Sequence, residues 1–361
     1  MNADISQVRR RIDQIDSNIL ALLKERLQSA LEIGHLKSFE QRAKWDPARE
    51  REIYERLREE NGGAFPDDAL HSIFHEIITT CRLSQKPVEV AYLGPEATFT
   101  HLAGVKYFGH SAIYRPVETI DDVFVDIEKG RCQYGIVPVE NSIEGAVVFT
   151  LDSFMKYRVR ICGEVKIDIS HNLVCRSGDI ADVQTVASHP QALAQCREWL
   201  RKHLPNVPTL AMSSTSAAAH MASTNPNIGA IASSLAIKTH DLQMVAKGIE
   251  DYRGNTTRFL VIGKESPAAS GDDRTSLLIG LPDRPGALNE ILTILSRHDI
   301  NLAKIESRPI KGRLWHYLFF IDMIGHISEP NIAQAMEALR ANCSYFECLG
   351  SYPRCDSGDE T

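Results

Sequence analysis

The first forty residues carry an apolar stripe that fits a long amphipathic helix. Val8, Ile12, Ile15, Ile19, Leu22, Ile33 and Leu36 step by threes and fours, the spacing of a face buried against other helices. Arg26 and Ser29 fall inside the same stripe, and Lys37 follows Arg26 by three turns on nearly the same face. A guanidinium in a helical seam is costly unless an anion meets it there. That anion is either a carboxylate of the chain, such as Glu50, or a ligand.

The helical pattern holds over residues 1–86, which read as an all-α domain. A first helix runs from about Ser6 to Phe39, and Asp46-Pro47 supplies an N-cap and a first-turn proline for a second. Asn61-Gly62-Gly63 stops that helix. A third starts near Pro66 and shows Leu70, Ile73, Phe74, Ile77, Ile78 and Cys81 at helical spacing, with Gln85 on the same stripe. The pattern changes at Val88. Short strand-like runs then alternate with helical segments over residues 88–264, predicting an α/β domain of mainly parallel strands, long enough for two lobes and a cleft. Ser266–Asp273 is a linker by composition. Residues 274–353 show the order βαββαβ of an α+β, ferredoxin-like split unit. A chain of 361 residues suits this multidomain division.

Composition narrows the partners. A net charge of -7, drawn from both signs, argues against nucleic acid or a membrane surface. No apolar run approaches a membrane span, and the start of the chain has no signal-peptide core. Eight cysteines without paired spacing read as reduced thiols in a cytoplasmic protein. Cys343, Cys348 and Cys355 lack zinc-ligand spacing, and His71 and His75 lack the HExxH arrangement, so no metal is expected. No G-x-G-x-x-G loop occurs and no cofactor is implied.

In the helical segment Arg9, Arg26, Lys37, Asp46, Arg49, Glu50 and Gln85 lie near faces that pack together. Cations with an interleaved carboxylate and amide suit a small dianion carrying further oxygens. Arg9 and Arg26, seventeen residues apart on one helix, are separated by about 25 Å and cannot hold one small ligand from a single chain. Spacing alone favours a solvated face for Arg9, within the run Arg9-Arg10-Arg11. In the α/β segment, polar turns precede candidate helices: Gly94-Pro95 to Thr98 and Thr100, Asn141-Ser142, Ser188-His189-Pro190, and Ser213 to Ser216 with Thr215. Such turns cap helices or cradle anions, and four at comparable junctions favour a shared cleft.

The layout RRRIDQID…LLKERLQSALEIGHLK…WDPARERE resembles the all-helical chorismate mutases. The resemblance implies an intertwined dimer in which Arg26 and Arg9 of the partner subunit hold the ligand carboxylates. Lys37 and Gln85 then match the groups on the ether oxygen, and Asp46, Arg49 and Glu50 the remaining polar wall. Cys81 stands where some of that family have Ser. The reaction is pericyclic, so the site needs only to fold the substrate and stabilise charge on the breaking C–O bond.

The stretches GPEATFT, PVENSIEGAV, SHPQA, STSAAA and TRF, in that order, resemble the prephenate dehydratases, with Ala97 in place of a commoner Gly. A two-lobed, periplasmic-binding-protein-like architecture is implied. Thr98, Asn141, Ser142, Ser188, Thr215 and Phe259 become candidate substrate contacts, and Thr257 the donor to the departing hydroxyl. Arg258 either binds a carboxylate or pairs within the cleft wall, and His189 before Pro190 favours a structural or contact role.

Asp283 to Leu288 and Glu306-Ser307-Arg308-Pro309 resemble the helix-opening loop and the ESRP motif of ACT domains that bind phenylalanine. Gly286, Ala287 and Leu288 would offer N–H groups to an amino-acid carboxylate, with Glu306, Ser307 and Arg308 beside them. The three resemblances imply a bifunctional chorismate mutase/prephenate dehydratase that converts chorismate through prephenate to phenylpyruvate under phenylalanine inhibition. The alternative is an amino-acid-responsive two-lobed binding protein without turnover.

Overall fold

The computed structural model describes residues 5–36 in full, the backbone of 37–39, and residues 47–85, 87–309 and 317–355. The chain forms two compact units, Met1–Val88 with Phe108–Ile113, and the remainder.

The first unit holds three helices, α1 (Ile5–Phe39), α2 (Pro47–Asn61) and α3 (Asp67–Gln85). α1 and α3 pack closely because Gly34 leaves room for an incoming side chain: a Cβ there would stand 2.9 Å from Gln85. α3 buries Ile78, Cys81 and Leu83. The α1 stripe is another matter. Ile12, Ile15 and Ile19 remain 50%, 48% and 50% exposed, and Leu22 and Leu36 64%. Among the described residues no element of this chain covers that face.

The second unit opens with β1 (Glu89–Leu93), α4 (Phe99–Phe108), β2 (Ile113–Val117), α5 (Ile120–Glu128), β3 (Tyr134–Asn141), β4 (Gly145–Ala146), α6 (Val148–Phe154) and β5 (Arg160–Asp168). The chain then crosses into a second lobe. There it forms β6 (Asn172–Cys175), β7 (Thr185–Ser188), α7 (Pro190–Gln195), α8 (Arg197–His203), β8 (Thr209–Ala211) and α9 (Thr215–Thr224). β9 (Ile228–Ala232), α10 (Ser234–Thr239) and β10 (Gln243–Ala246) complete that lobe, and β11 (Thr256–Gly263) returns to the first sheet. The sheet orders are β2-β1-β3-β11-β5, with β4 on β3, and β10-β6-β9-β7-β8.

The sheets are mixed, which corrects the expectation of mainly parallel strands. β1 and β3 are parallel, as are β8 and β9 to β7, but β11 is antiparallel to both β3 and β5. The reason is topological: β11 re-enters the first sheet from the far lobe and so runs against its neighbours. Its pairing with β3 shifts register between Arg258 and Phe259, opposite Pro138, which has no N–H to continue the ladder.

The C-terminal segment forms β12 (Asp273–Gly280), α11 (Ala287–Arg297), β13 (Leu302–Pro309), β14 (Tyr317–Ile324), α12 (Pro330–Asn342) and β15 (Tyr345–Pro353). Its sheet order β13-β14-β12-β15, antiparallel throughout, is the ferredoxin-like arrangement. The sheet is fused to the first lobe through one apolar core. Val137, Leu151, Phe154 and Leu260 share that core with Leu278, Phe320, Leu349 and Tyr352. β15 approaches β5 so closely that a Cβ on Gly350 would collide with the Ile161 carbonyl.

Candidate active sites and effector site

In the helical unit, the seam cation is not paired with Glu50. The Arg26 Nη1 lies 3.5 Å from the Ile77 carbonyl oxygen, while Glu50 pairs with Arg82 at 2.7 Å. The carboxylate named as an internal partner for Arg26 is therefore engaged elsewhere. Gln85 reaches across to α1, where its Nε2 donates to the Ala30 carbonyl at 2.9 Å. Arg26, Ala30 and Gly34 thus form one strip of α1 facing Ile77 and Gln85 of α3. Arg49 lies toward solvent with Glu52 at 2.8 Å, and Arg9 sits on the exposed N-terminal part of α1. The side chain of Lys37 and the whole of Asp46 lie outside the described residues.

In the second unit, a cavity of about 310 Å³ opens between the lobes, lined by Ile143, Glu144, Gln191, Ala194, Gln195, Glu250, Tyr252 and Asn255. The adjoining strands β3 and β11 bring three polar side chains together. Asn141 Nδ2 donates to Thr257 Oγ1 at 2.8 Å and to Asn255 Oδ1 at 2.7 Å. Asn141 Oδ1 in turn accepts from the backbone N–H groups of Ile143 and Glu144, at 3.0 and 3.1 Å. These bonds fix the amide orientation, so a lone pair of Thr257 Oγ1 is occupied and its O–H is left to donate. Ser142 ties the same corner down, accepting from Thr256 N at 2.9 Å.

His171, on the crossover into the second lobe, is buried and meets Gln195 Oε1 through Nε2 at 2.7 Å. Its backbone N–H donates to Glu250 at 2.9 Å. Burial lowers the imidazole pKa from its ordinary value, against smaller upward pulls from Gln195 and Glu250. Gln191 and Gln195 thus face Ile143 and Glu144 across the cavity.

The candidate hydroxyls of Ser188 and Thr98 have structural partners. Ser188 is fully buried and donates to the Ile231 carbonyl at 2.8 Å. Thr98 donates to the Leu93 carbonyl at 3.2 Å and accepts from His101 N at 3.3 Å, inside the turn that starts α4. Thr215 is the first residue of α9, half-buried, with Ser214 as its cap. His189 caps α7 by accepting from Gln191 N at 3.3 Å. Phe259 is buried at 2% exposure, in the sheet interior.

Of the two roles expected for Arg258, the structure shows pairing within the wall. Alternation along β11 sends it to the face opposite Thr257. There Nε meets Glu164 at 2.6 Å, Nη1 meets Asp322 at 2.7 Å and Nη2 meets the Tyr352 hydroxyl at 3.0 Å. Burial works against the charge, yet Tyr352, Asp322 and Glu164 raise the guanidinium pKa well above its ordinary value. Three of its five N–H groups are taken by these partners, and at 7% exposure the guanidinium is held within the wall of the sheet.

Arg308, an effector candidate, has a partner in the first lobe. Its Nη2 pairs with Asp152 of α6 at 3.2 Å, on the face that β13 turns toward the first lobe. Glu306 shares that half-buried face, and Ser307 points the other way and is exposed. Gly286 sits at φ 84° immediately before α11, a left-handed turn with open space where a Cβ would stand. Ala287 is buried beneath it and Leu288 is 37% exposed.

The architecture and these clusters define a class: a helical mutase-like segment, a two-lobed α/β domain with an amide–hydroxyl cluster at its cleft, and a small α+β ligand-sensing domain. Sequence comparison gives the same division. The chorismate mutase type II family matches residues 8–86, prephenate dehydratase residues 90–267 and the ACT domain residues 275–341. The bifunctional chorismate mutase/prephenate dehydratase of Aquifex aeolicus is 46% identical over 355 residues, covering 97% of this chain and 98% of the relative. That of Neisseria gonorrhoeae is 43% identical, covering 96% of each. The structure of prephenate dehydratase from Arthrobacter aurescens, in complex with L-Phe, is 34% identical with a TM-score of 0.68, over 74% of this chain and 90% of that one. The chain belongs to the bifunctional chorismate mutase/prephenate dehydratase family.

Asn255, Gln195, Glu250 and Tyr252 join the site without standing among the sequence candidates. Asn255 had a signal, since it stands two residues before Thr257 on an extended segment and so on the same face. Gln195, Glu250 and Tyr252 gave none without the knowledge that α7 and the returning crossover meet at one cavity.

Proposed function

We propose that the chain isomerises chorismate to prephenate in its helical segment and dehydrates and decarboxylates prephenate to phenylpyruvate between its lobes. The observation that carries the second activity is the Asn141–Thr257 hydrogen bond of 2.8 Å, which leaves the threonine proton free to be donated. Prephenate loses its ring carboxylate as CO2 and its C4 hydroxyl as water while the ring becomes aromatic. Thr257 donates a hydrogen bond to the departing hydroxyl, with Asn141 holding it in place. A threonine hydroxyl is a weak acid, so positioning and electrostatics contribute more than full proton transfer. Ser142 and Asn255 are retained as groups that shape the Asn141 corner, whereas Ser188, Thr98, Thr215 and Phe259 act by building the walls.

For the mutase, Arg26 holds a ligand carboxylate, and Gln85 and Lys37 serve the ether oxygen, with Asp46, Arg49 and Glu50 completing the polar wall. The open α1 stripe supports a homodimer in which a second copy covers Ile12, Ile15 and Ile19 and delivers Arg9 of the partner subunit. Phenylalanine is the effector, seated where Gly286, Ala287 and Leu288 open α11 beside Glu306 and Ser307. The protein works in the cytoplasm, in keeping with eight cysteines that are all free thiols. No helix among the described residues is long and apolar enough to cross a membrane.

Timed product analysis of the purified protein given chorismate tests the whole reading. Phenylpyruvate should form through transient prephenate and slow when phenylalanine is added. Chorismate left unconsumed, with supplied prephenate still converted, would contradict the mutase assignment. Prephenate that accumulates without phenylpyruvate would contradict the dehydratase.

A further inference from the structure

The strand pair that carries Asn141 and Thr257 has a second face. In the β3–β11 register Thr257 stands opposite Asn141, and the next pair along is Arg258 opposite Glu140. The first pair points to the cleft corner. The second faces the C-terminal domain: Arg258 binds Glu164 of β5 together with Asp322 and Tyr352 of that domain, and Lys304 of β13 reaches Glu140 at 2.9 Å. Arg274 of β12 joins Glu164 at 3.1 Å, and Ser276 bonds both Asp322 and the Tyr352 hydroxyl. Glu164, Asp322 and Tyr352 are 3%, 0% and 0% exposed.

Three cations and three carboxylates therefore close a charge-balanced network. It joins two strands of the dehydratase sheet, β3 and β11, and their neighbour β5 to all four strands of the C-terminal sheet. Buried ions of this kind have few low-energy arrangements, because parting them leaves a charge uncompensated. A shift of β12 to β15 must carry Arg258 and Glu140 with it, or break the network.

We propose that Arg258 and Glu140 are positioning residues through which the seating of the C-terminal domain sets the geometry of Thr257 and Asn141. This rests on the reading of that domain as the phenylalanine sensor. β13 contains both Lys304, which holds Glu140, and the effector candidates Glu306 and Ser307. Effector binding that moves β13 pulls on the strand pair from its rear face. Coupling follows when phenylalanine prefers one seating of the sheet over another.

The test uses the full chain and two substitutions. Arg258→Lys keeps the charge but lacks the planar fork that serves three partners at once. It should lower kcat for prephenate by about tenfold or more, with KM held within about twofold, as a geometric fault at the reacting group does. Lys304→Met frees Glu140 and should leave uninhibited turnover within about twofold. The phenylalanine concentration for half-inhibition should then rise by at least about fivefold, the lower end of typical allosteric coupling, with calorimetric binding of phenylalanine retained. Wild-type kcat in Arg258→Lys, or unchanged inhibition in Lys304→Met with phenylalanine bound, overturns the inference while leaving the sensor in place. A wild-type chain that binds no phenylalanine removes the sensor reading and this inference with it.

Discussion

The helical unit and the dehydratase lobes are built on opposite plans. In the lobes, the polar side chains that matter are fixed by neighbours in the same chain: Asn141 is held by two backbone N–H groups and itself holds Thr257 and Asn255. In the helical unit, α1 presents a row of half-exposed isoleucines, while Arg26 and Gln85 are anchored between α1 and α3 and Glu50 pairs with Arg82. A site assembled from adjacent strands is finished when the domain folds. A site set along a single long helix is finished only when another surface covers it.

That contrast can be broken at several points. The largest expected effect is at Thr257→Ala, which should cost dehydration about 10²–10⁴-fold, the range for loss of a positioned donor, while chorismate is consumed at the wild-type rate. Prephenate measured over time would show it as an accumulating product. Phenylpyruvate formation at the wild-type rate would remove Thr257 from the chemistry.

Gly34→Ala sharpens the comparison from the other side. The added Cβ would press on the flexible end of Gln85 and not on backbone, so the side chain moves and the fold persists. Mutase turnover should fall about tenfold or more from the misplaced amide, with dehydration unaffected. Equal losses in both reactions would point to general unfolding.

A pH effect is expected in the lobes. The His171 pKa is lowered in the folded chain by burial, so the unfolded chain binds that proton more readily and stability rises with pH through this window. The contribution is lost as pH falls below the ordinary histidine value of 6.5. His171→Asn should flatten the wild-type decline in denaturation midpoint between about pH 6.5 and 5, and an unchanged slope would contradict it.

The smallest effect belongs to Ala97, buried at φ 64° where the resembling family more often has glycine. Relief of the left-handed conformation gains about 1–2 kcal/mol, while loss of the buried methyl costs about 0.8 kcal/mol and the extra chain entropy of glycine about 0.5–1 kcal/mol. Ala97→Gly should therefore shift stability by no more than about 1 kcal/mol in either direction. A larger loss, measured by denaturant titration, would mean the methyl does more than fill space.

The comparison also shows what a sequence can convey. The three helices, the βαββαβ unit and the alternating middle segment were all legible, because periodicity and turn residues report local structure directly. The sites were legible only where residue type and strand face agreed. Thr257 and Arg258 are adjacent in a strand, so alternation turns them to opposite faces; what the second face meets is a fact of domain packing that no local pattern encodes. The Asp152 partner of Arg308 is hidden for the same reason, since it lies 156 residues away in sequence. Ser188 and Thr98 carry hydroxyls suited to anion binding, but the carbonyls that take them up, those of Ile231 and Leu93, become neighbours only in the folded lobes. Mixed strand direction was hidden as well, because β11 leaves and re-enters a sheet across a whole lobe.

The most direct test of the contrast is activity against assembly in an Ile15→Asp variant, which puts a charge in the open α1 stripe. Specific rates for chorismate and for prephenate would be followed through a dilution series, with sedimentation reporting the oligomer at each concentration. The mutase rate should track the assembled fraction while the dehydratase rate per chain stays constant. Full mutase activity in a fraction that sediments as single chains would contradict the account.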